Sequence, residues 1–231
     1  MGYRCEATSV SGFIQQLAVG YVGRGYYFYV IGKVPEGKDP KRVDEKLIEK
    51  YGVDVSKTSR SRRKALGLAN LQYIRFRDTF VLLSTPGKHE FFLHEASQIH
   101  DAREIPIKLF GYALSYRNGH PHVRIEQKKY LELKSFLLGA SVHRRREFLE
   151  EEFRKLSFEP YAPVRSQLHT ILREVNKRRK VAQYEPLPSS CIRTRRRIAR
   201  PFEERSPDLR TANQWTDSVE SALPRLLSEQ N

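Results

Sequence analysis

"SGFIQQLAVGYVGRGYYFYVIG", residues 11–32, changes its period halfway along. Up to Val22 the apolar residues Phe13, Ile14, Leu17, Ala18, Tyr21 and Val22 recur at three- and four-residue steps, which places them on one face of a helix. Ser9 or Ser11 is its expected cap, because a short hydroxyl side chain accepts from the unpaired amides of the first turn. Gly23 to Gly25 end the helix. From Tyr26 to Val34 the side chains alternate, with Tyr27, Tyr29 and Ile31 on one face and Tyr26, Phe28 and Val30 on the other, the two-residue period of a strand. The run Tyr26 to Tyr29 has two readings: rings buried in a core, or a platform on which bases stack.

Working outward, a short strand is expected at Tyr3 to Thr8. Downstream, Pro35 and Gly37 close the aromatic strand. "DPKRVDEKLIEKYG" then carries a helix with its own start and stop: Asp39 as cap, Pro40 at the first helical position and Gly52 after the end. "VSKTSRSRRKALG" reads as a loop or as a short helix capped by Ser56. "LQYIRFRDTFVLLST" predicts two strands turning near Arg77 and Asp78, and "IPIKLFGYALSYRNGHPHVRIE" two longer ones joined at Asn118-Gly119, the favoured two-residue hairpin turn. From Gln127 the period is helical, in segments around Leu133 to Leu138, Phe148 to Leu156 and Leu168 to Val175. The fold class expected is α+β: a mixed or antiparallel sheet packed with helices over residues 1–126, a C-terminal helical part over 127–200 with a basic end, and a mostly flexible acidic tail over 201–231.

Charge decides the class of partner. Forty-two Lys and Arg against 27 Asp and Glu give +15 over 231 residues, and the segment from Pro201 is itself −3, which leaves +18 on the rest. A surplus of that size and sign attracts a polyanion. No apolar run approaches the roughly 18 residues needed to span a bilayer and no secretion-signal pattern opens the chain, so a cytoplasmic or otherwise intracellular protein without a membrane partner is expected. The two cysteines, Cys5 and Cys191, lie far apart, which excludes a disulfide framework and a four-cysteine zinc site.

"RGYYFYV" resembles the central signature of the RNA-recognition-motif family, a basic residue, a glycine and alternating aromatics that stack on single-stranded bases. Arg24, Gly25, Tyr26 and Phe28 fit that pattern, while Tyr27 stands where a small residue is expected, Tyr29 where an aliphatic is, and a helix follows the strand; Arg24, Tyr27 and Tyr29 are the candidate nucleic-acid contacts of this stretch. The same region resembles the LAGLIDADG homing endonucleases, in which the helix-to-strand junction places an acid for metal. Here the junction reads Gly23-Arg24-Gly25 and holds no carboxylate. "GHPHVRIE" resembles the His-hydrophobe-His pair of HUH nicking enzymes. It implies His120 and His122 as metal ligands and Tyr130 or Tyr161 as the nucleophile, with help from Asp101 or Glu126, although Pro121 stands between the histidines.

Four basic clusters carry the main expectation: Lys57, Arg60, Arg62, Arg63 and Lys64; Arg144, Arg145 and Arg146; Lys177, Arg178, Arg179 and Lys180; and Arg193, Arg195, Arg196, Arg197 and Arg200. Arginine's planar fork grips two phosphate oxygens and stacks on bases. The protein expected is thus a nucleic-acid binder without a cofactor, taking RNA in preference to duplex DNA, alone or within a ribonucleoprotein complex, with a mobile element a conceivable source. The alternatives are a metal-dependent nicking or homing-type endonuclease using magnesium or manganese, and a basic scaffold for an acidic protein partner.

Overall fold

The computed structural model describes residues 2–196 and 199–203. Among them are seven α-helices and seven strands in two antiparallel sheets, an α+β protein. The chain divides into two compact units, Met1–Gln127 joined by Ile198–Glu204, and a second built on Lys128–Arg197.

In the first unit Ser9 caps α1 (Val10–Gln15), its hydroxyl accepting from Gly12 N at 3.2 Å. The helix continues as a π-helical segment, Gln16–Tyr21, and a 3-10 turn, Val22–Arg24, before Gly25 turns the chain at φ 96°. The strand that follows, β1, is Phe28–Lys33, two residues shorter at its start than the alternation predicts. Next come α2 (Pro40–Lys50), capped by Asp39, and α3 (Lys57–Ala65), capped by Ser56, which makes the basic stretch a helix. The hairpin β2 (Leu71–Phe76) and β3 (Thr79–Ser84) turns at Arg77 and Asp78, as expected. A single turn of helix, α4 (Phe91–His94), and a two-residue strand, β4 (His100–Asp101), have no signal in the sequence.

The first sheet runs β2-β3-β1-β4. Every residue of β2 is buried, so the sheet is covered on both faces there. On one face Val30, Leu71, Tyr73 and Leu82 pack with Tyr51, Val53 and Phe91. Gly32 lies opposite Phe80, and a Cβ on it would stand 2.2 Å from that ring, so only glycine lets the ring lie across the strand.

The second sheet corrects the sequence reading. Where two strands were expected there are three: β5 (Ile107–Leu109), β6 (Tyr112–Arg117) and β7 (His120–Ile125). The extra turn is Phe110-Gly111, with φ of 51° and 76°, and a left-handed phenylalanine is no turn signal. Packing holds it there, because the Phe110 ring meets Phe13 and Phe76 edge-on at 5.5 and 5.4 Å. The strand expected at Tyr3 to Thr8 is reduced to one bridge, Glu6 to Arg75.

The same bridge leads to a buried ion pair. Arg75 Nε donates to both Asp44 oxygens at 2.9 and 3.0 Å, and the two side chains are 3% and 6% exposed. The Tyr73 hydroxyl donates to Asp44 at 2.6 Å and the Cys5 thiol at 3.5 Å, while Arg75 Nη1 reaches Glu6 at 3.3 Å and the Arg77 carbonyl at 2.7 Å. Burial, and then the Asp44 charge, push the Cys5 thiol up to about 12, so it stays protonated at neutral pH.

Residues 199–203 return to the first unit. Gln15 exchanges two hydrogen bonds with the Ala199 backbone, at 2.8 and 3.2 Å, and Thr8 N donates to Pro201 O at 2.9 Å. Gly12 permits this approach, since a Cβ there would lie 2.8 Å from Pro201 Cα. The tail expected from residue 201 is therefore held at its first three residues, and 204–231 lie outside the described residues.

The second unit holds α5 (Gln127–Ala140), α6 (Arg146–Lys155) and α7 (Ala162–Val181), matching the three helical segments expected, with Leu137, Leu149, Phe153, Leu168, Ile171 and Val175 buried. Arg179 is 3% exposed and donates to the backbone carbonyls of Glu185, Ser141 and Arg144 at 2.6, 2.9 and 3.3 Å.

Removing one member of a buried ion pair strands the other charge. Asp44→Asn is expected to destabilise the first unit by on the order of 3 kcal/mol, whereas Glu6→Gln, at a solvated site, costs under about 1 kcal/mol; urea denaturation followed by circular dichroism measures both, and equal costs would contradict the assignment. Arg179→Lys, which cannot span three carbonyls, is expected to lower protection of α7 amides in hydrogen exchange by about 2 kcal/mol. Unchanged protection would show that those carbonyl bonds do not hold the unit.

Candidate nucleic-acid interface

The sequence of α3 leaves it no apolar face, and none of its residues is buried. Two of its own arginines fasten it instead. Arg60 Nη2 donates to Val53 O at 3.5 Å and Arg63 Nη1 to Gly52 O at 3.3 Å, while Asn70 Nδ2 donates to Arg60 O at 3.0 Å. Lys57, Arg62 and Lys64 are left exposed. The ion-paired cations described in this unit are Lys33, Lys50, Arg75, Arg103 and Arg200, so none of the five α3 cations has a carboxylate partner among the described residues.

Beside α3, a cleft of about 430 Å³ is lined by Lys50, Arg63, Lys88 and His89, with Glu49 and Glu90 also on its wall. His89 Nδ1 accepts the Phe91 amide at 3.0 Å. Burial and then Arg63 lower the His89 pKa, which keeps its imidazole neutral at pH 7.

The aromatic strand belongs to the core. Tyr29 is 1% exposed, its hydroxyl donating to Ile105 O at 3.1 Å and Pro106 O at 3.2 Å, and no base can reach its ring. Burial pushes its phenol up to about 12. Tyr27 is half-buried, with Tyr116 at 4.7 Å and the Arg103 guanidinium at 4.9 Å from its ring. The stacking platform is thus corrected at Tyr29. Arg24 is exposed in the last turn of the first helical segment, where a cation also favours the helix C-terminus.

The clusters of the second unit separate into free and engaged members. Lys177, Lys180 and Arg195 are exposed without an ion-pair partner among the described residues. Arg178 is exposed and gives one N–H to Leu138 O at 3.1 Å. Arg179 is removed from any surface by its burial, a correction that the run Lys177 to Lys180 hid. Arg193 pairs with Glu159 at 3.1 Å, and in the first unit Arg200 pairs with Glu203 at 2.9 Å, so both are neutralised locally. Arg144 lies 5.5 Å from the Phe148 ring and Arg196 5.0 Å from that of Tyr161, while Arg145 is exposed at the start of α6. Arg197 lies outside the described residues.

His120 and His122 do share one side of β7, as their alternate positions require. The charges acting on His122 are Arg117 and Arg124, not carboxylates; burial first, and then these two, lower its pKa. Asp101 is engaged by Arg103 at 2.5 Å; burial acts to raise its carboxyl and Arg103 outweighs it, leaving the pKa below the ordinary value. No group of three His, Cys, Asp or Glu able to hold a metal occurs among the described residues. Tyr161 keeps its hydroxyl buried and without a hydrogen-bond partner among the described residues, and burial pushes it up to about 12, the opposite of an activated nucleophile. Tyr130 is half-buried on α5.

Sequence reasoning missed the cations of the second sheet. Arg117 and Arg124 share a face with the two histidines, and Lys108 joins them from β5. Their alternate spacing across the Asn118-Gly119 turn was the available signal. No helix among the described residues is long and apolar enough to cross a membrane. No protein-family model matches the chain, and no curated protein matches it.

Proposed function

We propose that the protein binds nucleic acid, taking single-stranded or structured RNA in preference to duplex DNA, and that α3 is its principal phosphate contact. The observation that carries this reading is the contrast between two cationic helices. On α6, Arg146 and Arg154 pair with Glu150 at 2.7 and 2.5 Å, and Lys155 lies 3.4 Å from Glu152. On α3 no such partner exists among the described residues, and the serines between its cations add no charge. Lys57, Arg62 and Lys64, exposed and not among the arginines that fasten the helix, are suited to an external anion. The preference for RNA rests on exposed rings beside arginines, Phe148 at 40% and Tyr184 at 50% exposure, which suit unstacked bases better than a closed duplex.

Fluorescence anisotropy with labelled single-stranded RNA and duplex DNA over a salt series tests this. The logarithm of affinity is expected to fall linearly with the logarithm of salt, and Lys57→Gln, Arg62→Gln and Lys64→Gln together reduce the slope by about 2. Because all three side chains are exposed, the triple variant keeps its folding stability to within about 0.5 kcal/mol. An unchanged slope and affinity would remove α3 from the interface, and tighter binding of the duplex would overturn the preference for RNA.

A further inference from the structure

The register of the second sheet sets Arg117 opposite His120, Ser115 opposite His122, and Ala113 opposite both Arg124 and Lys108. Residues paired in this way project from the same side of a sheet. That side therefore carries Lys108 on its β5 edge and His120, His122 and Arg124 along β7, while the central strand offers only Ala113 and Ser115 before Arg117. Ala113 and Ser115, the short side chains between the long ones, are 2% and 5% exposed, whereas Lys108, Arg117 and His120 are exposed and His122 and Arg124 half-buried. The opposite side is core, with Ile107, Leu114, Val123 and Ile125 buried, and the helical segment through Gly23, with Tyr21 and Arg24 beside it, packs there against Pro121.

Three features point to a ligand. Lys108, Arg117 and Arg124 have no carboxylate partner among the described residues; Glu126, just past β7, is in no described ion pair. The three cations share one side of the sheet, one on each strand, so their fields add there. His122 Nδ1 is buried and no described group bonds to it, which leaves that nitrogen without a structural partner among the described residues.

We infer that this face of the β5–β6–β7 sheet is a second phosphate-binding surface, which holds the backbone of an RNA strand and strengthens its grip as His122 takes up a proton. The inference rests on the RNA-binding reading. Along β7 His120, His122 and Arg124 follow one another at about 6.7 Å, and Arg117 lies about 4.8 Å across from His120, close enough to meet successive phosphates. The direction of the pH effect follows from the charges around His122. Burial, Arg117 and Arg124 hold its pKa below the ordinary value in the free protein. Bound phosphates oppose the two arginines and raise it, so binding takes up a proton and tightens as pH falls.

The test uses the full chain and a labelled oligouridine strand at constant ionic strength. From about pH 8 to about pH 5.5 the wild-type Kd is expected to fall about fivefold, toward the tenfold limit that a bound-state pKa one unit higher sets below both values. His120→Gln with His122→Gln reduces that change to under about twofold, and Arg117→Gln with Arg124→Gln weakens binding at every pH. The triple α3 variant binds more weakly throughout but keeps the wild-type pH ratio. Histidine side-chain NMR supplies a second readout, in which the His122 titration midpoint rises when oligouridine is added. Binding with a full pH ratio in the double histidine variant, or a His122 midpoint that RNA leaves unmoved, overturns this inference and leaves the proposed function standing. No binding of RNA by the wild type at any pH overturns both.

Discussion

The Asp44–Arg75 ion pair is the constraint on which the first unit depends. Asp44 sits on α2 and Arg75 on β2, and each would be costly to bury alone. Together, with the Tyr73 hydroxyl, the Cys5 thiol and the Arg77 carbonyl filling the remaining positions, they fix the helix to the sheet and the N-terminal segment to the edge of β2. The position of α2 then fixes the chain that leaves it. Gly52 and Val53 offer their carbonyls to Arg63 and Arg60, and this seats α3 with Lys57, Arg62 and Lys64 turned outward. A cationic helix without an apolar face is thus held in place by way of α2.

Arginine does three different jobs in this protein, and its surroundings decide which. Arg75 is buried against a carboxylate, and Arg179 is buried against backbone carbonyls, where its fork satisfies groups at three points of the chain. On α6 the arginines pair with glutamates one turn away, an arrangement worth only tenths of a kcal/mol at the surface. On α3 and on the second sheet they have no such partner. Net charge alone does not separate these cases, and only the last leaves positive potential for a polyanion.

The sequence was most legible where local chemistry dominates. Asp39 and Ser56 cap the helices they precede, Asn118-Gly119 makes the hairpin its dipeptide predicts, and the three helical segments after residue 127 are helices. It was least legible where tertiary packing overrides local preference. Phe110 takes a left-handed conformation because two phenylalanines clamp its ring, a cause that lies far along the chain. Tyr29 reads the same as Tyr27, yet Tyr29 lies within β1 with its hydroxyl on the Ile105 and Pro106 carbonyls, whereas Tyr27 precedes the strand and stays partly open. Arg179 stands in a run of four cations and differs from its neighbours only in the side of α7 it occupies. The alternate cations Arg117 and Arg124 were visible in the sequence, but a histidine pair drew the reading toward a metal site.

The account's central claim is that cations left unpaired by folding are the ones that meet phosphate. Ultraviolet crosslinking of the protein, isolated at low salt with whatever nucleic acid accompanies it, followed by mass spectrometry of the crosslinked peptides, tests this most directly. Crosslinks in the peptides that carry α3 and the β6–β7 hairpin, with or without further ones at the exposed Phe148 ring of α6, are the predicted result. Crosslinks confined to α6, or a protein that carries no nucleic acid at low salt and crosslinks to none when RNA is added, would contradict it.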